Sequence, residues 1–471
     1  MNLVDVLVPG VSTMTSNSRY FGLYWALASY AHDRDFDTLT CRTVLRRAEV
    51  ALAMASVINP HTGSLDGLGE MHGADTVRSQ LAKGSVDRLV DVGERSYSPR
   101  AWGYWSQYKG PIVTLGLATT DQGAFRKGPR ETPVLVRDMF RPLLELAASR
   151  NLSQEDAKDF IDLTGFQPGS ADLAPLRAVL TATGDGINWN ANDSTRRSTY
   201  RILARAVQLA PDTSSWTSAL VDVLAYGPAL DGDPVFIAEG SRAKSWRGLL
   251  LRHRFVGAWR HLWSRLVDQV WHSDGQASRS DLHEWVRGCT TNDTVEGFLR
   301  SCTAPFDARG NPAPAEVLLS GNRNDIETDI GVLLIGSVRG DELAGVTLDA
   351  FRGNSGRNHY LDPQWVAHRR REYMHRPLTD FACAVVDDML DQSHRVALAK
   401  MYVDNEGRMK LPTKLHERNG LYFATGREGP GNVGLRTEQL GELGRQLGLF
   451  RFDDDRMVVT ELGVETLGLP Q

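Results

Sequence analysis

The chain has 471 residues, of which 41% are hydrophobic and 24% are charged, and its formal net charge is −5. This length is enough for two to four domains, each with its own core. The charge excludes a polycation, so any contact with nucleic acid has to come from local basic patches.

The sequence contains no segment typical of a targeting signal or a membrane span. The N-terminal MNLVDVLVPG lacks a basic region followed by an apolar stretch. The longest apolar stretches, such as 330–335, fall far short of about 18 residues. We therefore expect a cytoplasmic protein that does not contact a membrane.

The cysteines are few and widely spaced, and none forms a CxxC pair: they are Cys41, Cys289, Cys302 and Cys383. This pattern indicates neither a disulfide framework nor a thiolate zinc site. We predict reduced thiols, no bound metal and no cofactor.

The first third of the chain is predicted to be helical. Apolar residues recur every three or four positions through 18–31 and through 44–55, which indicates two amphipathic helices. A polar loop with His61, Glu70, His72 and Asp75 follows, and its spacing matches no specific metal site. Residues 99–128 predict a helix, a Leu-Gly-Leu segment and a glycine-containing turn. Helices are expected at 134–148 and 153–163, the second capped by Ser153.

The middle of the chain has the most regular helical pattern, an apolar stripe within 246–271 that includes Trp259, Trp263 and Leu266. Its basic residues Arg247, Arg254, His261 and Arg265 share another face. That face is either solvated or lies along a phosphate backbone. We predict a short buried strand at Gly331–Ser337, and a helix pair from Pro363 to about Tyr402 that is broken near Pro377.

Together these patterns predict a mainly α, multi-domain helical protein. The predicted segments are 1–150, helical with a possible helix–hairpin module at about 98–130; 151–304, helical; 305–410, helical with the short strand; and 411–471, which holds a C-terminal helix–hairpin module.

The C-terminal residues 435–467 predict a helix, a two-stranded hairpin and a second helix. Leu440, Leu443 and Leu447 share one helix face, and Gly448 is well placed to end that helix. Two strands then flank a turn at Asp453–Asp455. This order resembles the winged helix-turn-helix modules of bacterial regulators, over about a tenth of the chain.

That resemblance implies a helix in the DNA major groove and a hairpin, the wing, on the backbone. The implied exposed positions are Arg436, Glu438, Gln439, Glu442 and Arg445 on the helix, with Arg451 and Arg456 on the wing. Phosphate repels an acidic wing tip, so docking to another protein remains the alternative.

Residues 102–128 repeat the same order with a basic wing. The basic residues there are Arg100, Lys109, Arg126, Lys127 and Arg130. The resemblance therefore implies one or two winged-helix modules, at 411–471 and possibly at about 98–130. If the segment at about 98–130 is a second winged helix, it is the better candidate for contact with DNA.

Two further polar clusters are weaker candidates. His368–Arg371 is the densest positive run, and Arg369, Arg370 and Arg371 either face solvent or contact a polyanion. Asp387, Asp391 and His394 share a helix face that we predict to be solvated. The sequence has no convincing nuclease D/E-x-K motif, phosphate-binding loop, GxSxG elbow or HExxH helix.

The opening VPGVSTMTSNSRYFGLYWAL is similar to the start of uncharacterised prokaryotic proteins that accompany phage-defence and restriction genes. The similarity lies in Pro9, Gly10, Thr15, Arg19, Tyr20 and Trp25. It implies a defence setting and brings no catalytic residues with it. The general plan also resembles the kleisin-type partners of SMC ATPases, in architecture alone.

We therefore expect a non-catalytic component of a bacterial defence system that binds double-stranded DNA or acts as a scaffold, together with partner proteins. The alternatives are a nuclease whose site is not recognisable from sequence, and a docking subunit without affinity for DNA.

Overall fold

The backbone forms two compact units, of which the first consists of two separate stretches of sequence and the second of the stretch between them. Unit 1 combines Met1–Ala219 with Leu435–Gln471, and unit 2 is Leu220–Gly434. These bounds differ from the four predicted segments, because the C-terminal residues pack with helices from the first half of the chain. The computed structural model describes residues 2–58, 70–84, 88–93, 95–165, 169–184, 188–213, 215–303, 325–353, 361–404, 406–454 and 456–471.

Helices dominate the described residues and the strands are short, so the predicted mainly α class is confirmed. The helices of unit 1 are α1 Asn2–Leu7, α2 Arg19–Asp33, α3 Thr38–Ile58, α4 Ala74–Leu81, α5 Trp105–Thr114, α6 Val134–Ser149, α7 Gln154–Lys158, α8 Leu173–Thr181, α9 Ala191–Leu209, α10 Trp216–Leu220 at its boundary, α20 Thr437–Gln446 and α21 Glu461–Leu467. Its strands form two antiparallel hairpins, β1 Ala118–Asp121 with β2 Ala124–Lys127, and β8 Phe450–Asp453 with β9 Arg456–Val459.

The helices of unit 2 follow a π-helical turn at Val221–Ala225. They are α11 Ala229–Gly232, α12 Pro234–Glu239, α13 Ser241–His272, α14 Arg279–Gly288, α15 Val295–Thr303, α16 Ile326–Glu342, α17 Gly345–Arg352, α18 Pro363–Tyr373 and α19 Leu378–Ala399. The strands β3 Gln276–Ser278, β7 Leu421–Ala424 and β6 Leu415–Arg418 form an antiparallel sheet in that order. Strands β4 Tyr402–Val403 and β5 Met409–Lys410 form a separate hairpin.

The predicted cap at Ser153 is confirmed by its hydrogen bonds. At α7 the Ser153 hydroxyl accepts a hydrogen bond from the Asp156 N–H at 3.2 Å, and the Asp156 carboxylate accepts one from the Ser153 N–H at 2.7 Å. This reciprocal pair satisfies two donors that a helix start leaves free. The predicted break near Pro377 separates α18 from α19.

The predicted strand at Gly331–Ser337 is wrong, because these residues lie inside α16. Asp325 caps this helix by accepting a hydrogen bond from the Thr328 N–H at 2.7 Å. Almost every residue from Ile330 to Ser337 is buried, so the helix has no polar face there to reveal its period.

The long helix α13 is the centre of unit 2. Its predicted apolar stripe is buried at Trp259, Leu266 and Val270. The helix approaches α17 closely at Gly248, where a β-carbon would lie 2.2 Å from the Thr347 carbonyl oxygen. Any larger residue at Gly248 would therefore push the two helices apart.

The basic face of α13 does not form a solvated stripe. Arg247 is buried, with 7% of its surface exposed. His261 Nδ1 and Arg265 Nε lie 3.3 Å and 3.7 Å from the carboxylate oxygens of Asp329 on α16. Most of this face therefore packs within unit 2.

The core of unit 1 contains charged groups as well as apolar ones. Arg19 of α2 and Asp172, which precedes α8, form an ion pair at 2.8 Å, and both side chains are fully buried. Arg196 and Asp193, one turn apart on α9, form a second fully buried pair at 2.8 Å. The first pair joins two segments that are far apart in sequence.

Among the described residues, no helix is both long enough and apolar enough to cross a membrane.

Candidate nucleic-acid interface

Unit 1 contains two segments with the same local construction, here called the first and second helix–hairpin segments. The first is 105–127, with α5, β1 and β2; the second is 437–459, with α20, β8 and β9. Each helix is followed directly by Leu-Gly-Leu, with glycine φ angles of 72° at Gly116 and 77° at Gly448. The N–H after each glycine, that of Leu117 or Leu449, bonds the carbonyl five residues back, at 3.1 Å and 2.8 Å. This Schellman-type end turns the chain from the helix into the hairpin.

The helix of the first segment has a continuous exposed face. Ser106, Lys109, Gly110 and Val113 are exposed at positions i, i+3, i+4 and i+7. The opposite side is anchored in the core by Trp105, Tyr108 and Ile112. No residue of α5 is acidic.

The exposed face of α5 is positively charged and sterically open. Lys109 lies in its middle, and Arg100 Nη1 donates a hydrogen bond to Ser106 Oγ at 3.3 Å near the helix start. A β-carbon at Gly110 would meet no atom within 4 Å. A flat or grooved anionic partner could therefore approach the α5 backbone closely.

The start of α5 is fixed by a buried carboxylate that sequence reasoning missed. Glu49 of α3 is fully buried and accepts hydrogen bonds from the N–H groups of Tyr104 and Trp105 at 3.0 Å and 3.2 Å. It also accepts hydrogen bonds from the hydroxyls of Tyr24 and Tyr97, each at an O···O distance of 2.5 Å. Burial raises the pKa of Glu49 and outweighs these hydrogen bonds, which lower it. No sequence signal links Glu49 to α5, because its partners come from separate segments.

His72 packs beside this cluster rather than at a metal site. Its ring stacks on Tyr20 and Tyr104, with centroid distances of 4.9 Å and 4.7 Å. Its Nε2 lies 3.2 Å from the Tyr108 hydroxyl. Burial lowers the pKa of His72 to about 4, so the ring is neutral at physiological pH.

The basic residues of the first hairpin are partly buried, and each pairs with an exposed carboxylate. Arg126 lies 3.1 Å from Asp35, and Lys127 lies 2.5 Å from Asp33. The hydrogen bond from Lys127 is the largest cause of the lowered pKa of Asp33. Ion pairs that are open to solvent on one side contribute only about 0–1 kcal/mol, so a phosphate group can replace either exposed carboxylate at little cost.

The second segment has the predicted order of helix, hairpin and helix, and Leu440, Leu443 and Leu447 are fully buried as predicted. The predicted exposure of Arg445 is wrong. Its side chain is 6% exposed and pairs with Glu442 at 2.7 Å. The helix that the winged-helix resemblance would place in DNA is thus mostly enclosed within unit 1.

The neighbouring Gln446 explains why α20 is enclosed. Its amide oxygen accepts hydrogen bonds from the N–H and hydroxyl of Ser18, at 2.8 Å and 2.7 Å. Its amide nitrogen donates to the Ser16 carbonyl at 2.7 Å. These contacts hold the end of α20 against the start of α2. Glu438 remains exposed on α20.

The other basic residues of the second segment are also paired with carboxylates. Arg436, just before α20, pairs with Asp5, and its Nη1 donates to the Val11 carbonyl at 2.9 Å. On the hairpin, Arg451 lies 3.3 Å from Asp453, and Arg456 lies 2.7 Å from Asp212. Asp454 forms the turn with a φ of 53°, whereas Asp455 lies outside the described residues.

The positive run at 368–371 is divided among several partners in unit 2. Arg369 pairs with Asp388 at 2.8 Å, and Arg370 is buried and pairs with Asp341 at 2.7 Å. Arg371 is exposed, and its Nε donates to the Ala367 carbonyl at 3.1 Å. The run is therefore not one continuous exposed patch.

No family model, no curated protein and no solved structure matches the chain.

The residues that carry the N-terminal resemblance to defence-associated proteins are structural in this chain. Gly10 has a φ of 81°, and Thr15 is fully buried. Arg19 and Tyr20 are also fully buried, and Trp25 is 3% exposed. They position the start of α2 and offer no exposed chemistry.

The described residues contain no group of three or more His, Cys, Asp or Glu side chains arranged to hold a metal ion. Asp387 instead contacts His283 at 2.9 Å and Arg279 at 3.0 Å. In the polar loop, Glu70 and Asp75 both pair with Arg78, and His61 lies outside the described residues. Cys41, Cys289 and Cys383 are free thiols, and the side chain of Cys302 is outside the described set.

Proposed function

We propose that this protein is a non-catalytic component of a bacterial defence system that binds double-stranded DNA through its first helix–hairpin segment and works with partner proteins. The observation that carries the DNA proposal is the exposed face of α5, which bears Lys109 and no acidic residue. The defence setting rests on the N-terminal resemblance alone.

In this proposal α5 enters the major groove, as the recognition helix of a winged helix does. Lys109 and Arg100 contact phosphates, which position the protein on the duplex. Gly110 allows the helix backbone to approach, and Val113 offers an apolar contact of the kind that thymine methyl groups accept. When DNA binds, Arg126 leaves Asp35, Lys127 leaves Asp33, and both cations pair with backbone phosphates.

The second segment has a different role in the proposal. Its helix is enclosed, and its exposed groups include the carboxylates of Glu438, Asp453 and Asp454. Arg451 and Arg456 are also exposed on the hairpin, but each pairs with a carboxylate. Phosphate repels such a surface, whereas a basic protein surface would be attracted to it. This favours protein docking at the second hairpin, and a docking subunit without DNA affinity is the second candidate function.

The DNA proposal is tested by replacing Arg100 and Lys109 together with Gln and titrating duplex DNA at several salt concentrations. Removing one phosphate contact should reduce the slope of log affinity against log salt by about 0.9, so the slope of this double variant should be smaller by about 1.8. A second double variant, Arg126→Gln with Lys127→Gln, should also weaken binding. Both effects should be similar for unrelated DNA sequences, because phosphates carry no sequence information.

The matched control is Arg451→Gln with Arg456→Gln, which removes the same charge from the second hairpin. We expect its salt slope to equal that of the unsubstituted protein, and Arg371→Gln should behave likewise. Absence of any salt-sensitive binding by the unsubstituted protein would reject DNA binding and favour the docking subunit. Loss of binding in the control alone would assign DNA to the second hairpin. Incubation of supercoiled plasmid with Mg²⁺ or Mn²⁺ tests the nuclease alternative, and cleavage would contradict a non-catalytic role.

A further inference from the structure

Unit 2 contains a cavity of about 390 Å³ that the proposed DNA contact does not use. One wall is a face of α19, where Met389, Val396 and Ala397 supply apolar surface. The indole rings of Trp259 and Trp263, one turn apart on α13, also line it. A volume of this size with aromatic and aliphatic walls is typical of a small-molecule site.

The same cavity has polar groups that are available to orient a ligand. Gln392 and Ser393 line it from α19, and within the described part of the chain no hydrogen bond engages either side chain. Leu361, which also lines the cavity, has a φ of 63°. Such a backbone conformation is rare for a bulky residue and is concentrated at binding sites.

The charge of the cavity lining is mainly positive. Arg260 and Lys400 line it and are exposed, and no carboxylate among the described residues forms an ion pair with either. Glu428 is the acidic residue in the lining, so two cations face one carboxylate. Lys400 directly follows the last residue of α19, which puts it at the end of the apolar wall.

We propose that this cavity binds a small organic anion with an apolar body, such as a medium-chain or aromatic carboxylate. The apolar body lies against Met389 and the two indoles, and the carboxylate lies between Arg260 and Lys400. An apolar molecule without charge would leave these cations unused, and a bare inorganic anion would leave the apolar walls in water. This inference is independent of the proposed DNA contact.

Isothermal titration calorimetry with sodium octanoate and with indole-3-acetate tests the proposal, and 1-octanol is the neutral probe. At least one of the two anions should bind at a single site, with 1-octanol at least about tenfold weaker than octanoate. Replacing Arg260 and Lys400 with Gln should weaken anion binding by about tenfold. Ser393→Phe should abolish binding of every probe, because the ring fills the cavity without removing any wall residue.

Lys244→Gln is the matched control, because this exposed lysine of α13 does not line the cavity. Its affinity for the anions should equal that of the unsubstituted protein, and circular dichroism should be unchanged in every variant used. Absence of saturable binding of both anions, or equal binding of octanoate and 1-octanol, would overturn the proposal. Unchanged binding in a folded Ser393→Phe variant would place the ligand elsewhere and overturn it too.

Discussion

Replacing Arg19 with Met should lower the free energy of unfolding of unit 1 by about 3–5 kcal/mol, because it leaves the carboxylate of Asp172 buried without its counter-charge. Both side chains are fully buried, and Arg19 Nη1 lies 2.8 Å from Asp172 Oδ1. The guanidinium also donates to the Ser170 hydroxyl at 3.1 Å and to the Gly165 carbonyl. Met retains much of the apolar volume of the arginine stem, so the loss reports mainly on charge and hydrogen bonds.

The double variant Arg19→Met with Asp172→Asn separates the unpaired charge from other effects. It removes both charges and keeps the shape of the second side chain, so it should be more stable than Arg19→Met alone. Arg150→Met is the surface control, because Arg150 pairs with Asp156 at 2.6 Å but is 52% exposed. Its loss should be below about 1 kcal/mol.

Hydrogen exchange of peptides from α2 and α8 measures the local effect, and urea denaturation measures the whole chain. Both are needed because a chain with two compact units need not unfold in one step. Equal losses for Arg19→Met and Arg150→Met would show that burial of the first pair does not govern its contribution.

The local parts of the fold could be predicted from sequence because their signals are local. The apolar spacing of Leu440, Leu443 and Leu447 predicts a helix with one buried face, and Gly448 marks its end. The same Leu-Gly-Leu pattern, with Gly116, predicts the end of α5 and the following hairpin. In each case the deciding interactions lie within a few residues of one another.

The parts that could not be predicted depend on contacts between distant residues. Arg19 and Asp172 are 153 positions apart, and no sequence feature near either residue indicates that the two pair. The enclosure of Arg445 depends likewise on the docking of its helix against the start of α2. Periodicity cannot distinguish a buried helix from a buried strand in a short apolar run, which is why the sequence predicts a strand at Gly331–Ser337 where α16 lies.

The residues of the candidate interface can be predicted from sequence, but their ion pairs and their burial cannot. Sequence alone identifies Lys109, Arg126 and Lys127 as basic groups near a hairpin. It does not reveal that Asp33 and Asp35 pair with the latter two, or that Glu49 fixes the start of α5. The contrast between the two helix–hairpin segments, one exposed and one enclosed, therefore needed the three-dimensional structure.

Replacing Asp329 with Asn should make unit 2 more stable than the unsubstituted protein at pH 8 and leave the two nearly equal near pH 4. The carboxyl group of Asp329 is fully buried, and its Oδ2 has no hydrogen-bond partner among the described residues. Burial is the main reason why the pKa of Asp329 is raised from 3.8 to about 7. The nearby charge of Arg265 lowers this pKa, and that of Asp325 raises it. Burial lowers the pKa of His261, so its ring is neutral at pH 8.

The direction of the pH dependence follows from this raised pKa. Between about pH 4 and pH 7 the folded protein holds a proton on Asp329 that the unfolded chain has released. The contribution of this group to the free energy of unfolding is therefore fully present below pH 4 and is lost as the pH rises through 7. At 1.36 kcal/mol per pKa unit, the difference in stability between the Asp329→Asn variant and the unsubstituted protein should approach roughly 4 kcal/mol at pH 8.

Urea denaturation at pH 4, 6 and 8, followed by tryptophan fluorescence, measures this difference, since α13 itself carries Trp246, Trp259, Trp263 and Trp271. Asp268→Asn, in the helix α13, is the matched control, because the pKa of Asp268 is shifted in the opposite direction. A hydrogen bond from Arg427 is the largest cause of the lowered pKa of Asp268, so its contribution is present above the unfolded pKa and is lost as the pH falls. The control should therefore be less stable than the unsubstituted protein at pH 8, where Asp329→Asn is more stable. A gap for Asp329→Asn that stays constant from pH 4 to 8 would mean that this carboxyl group does not titrate in that range, and that Arg265 offsets its burial.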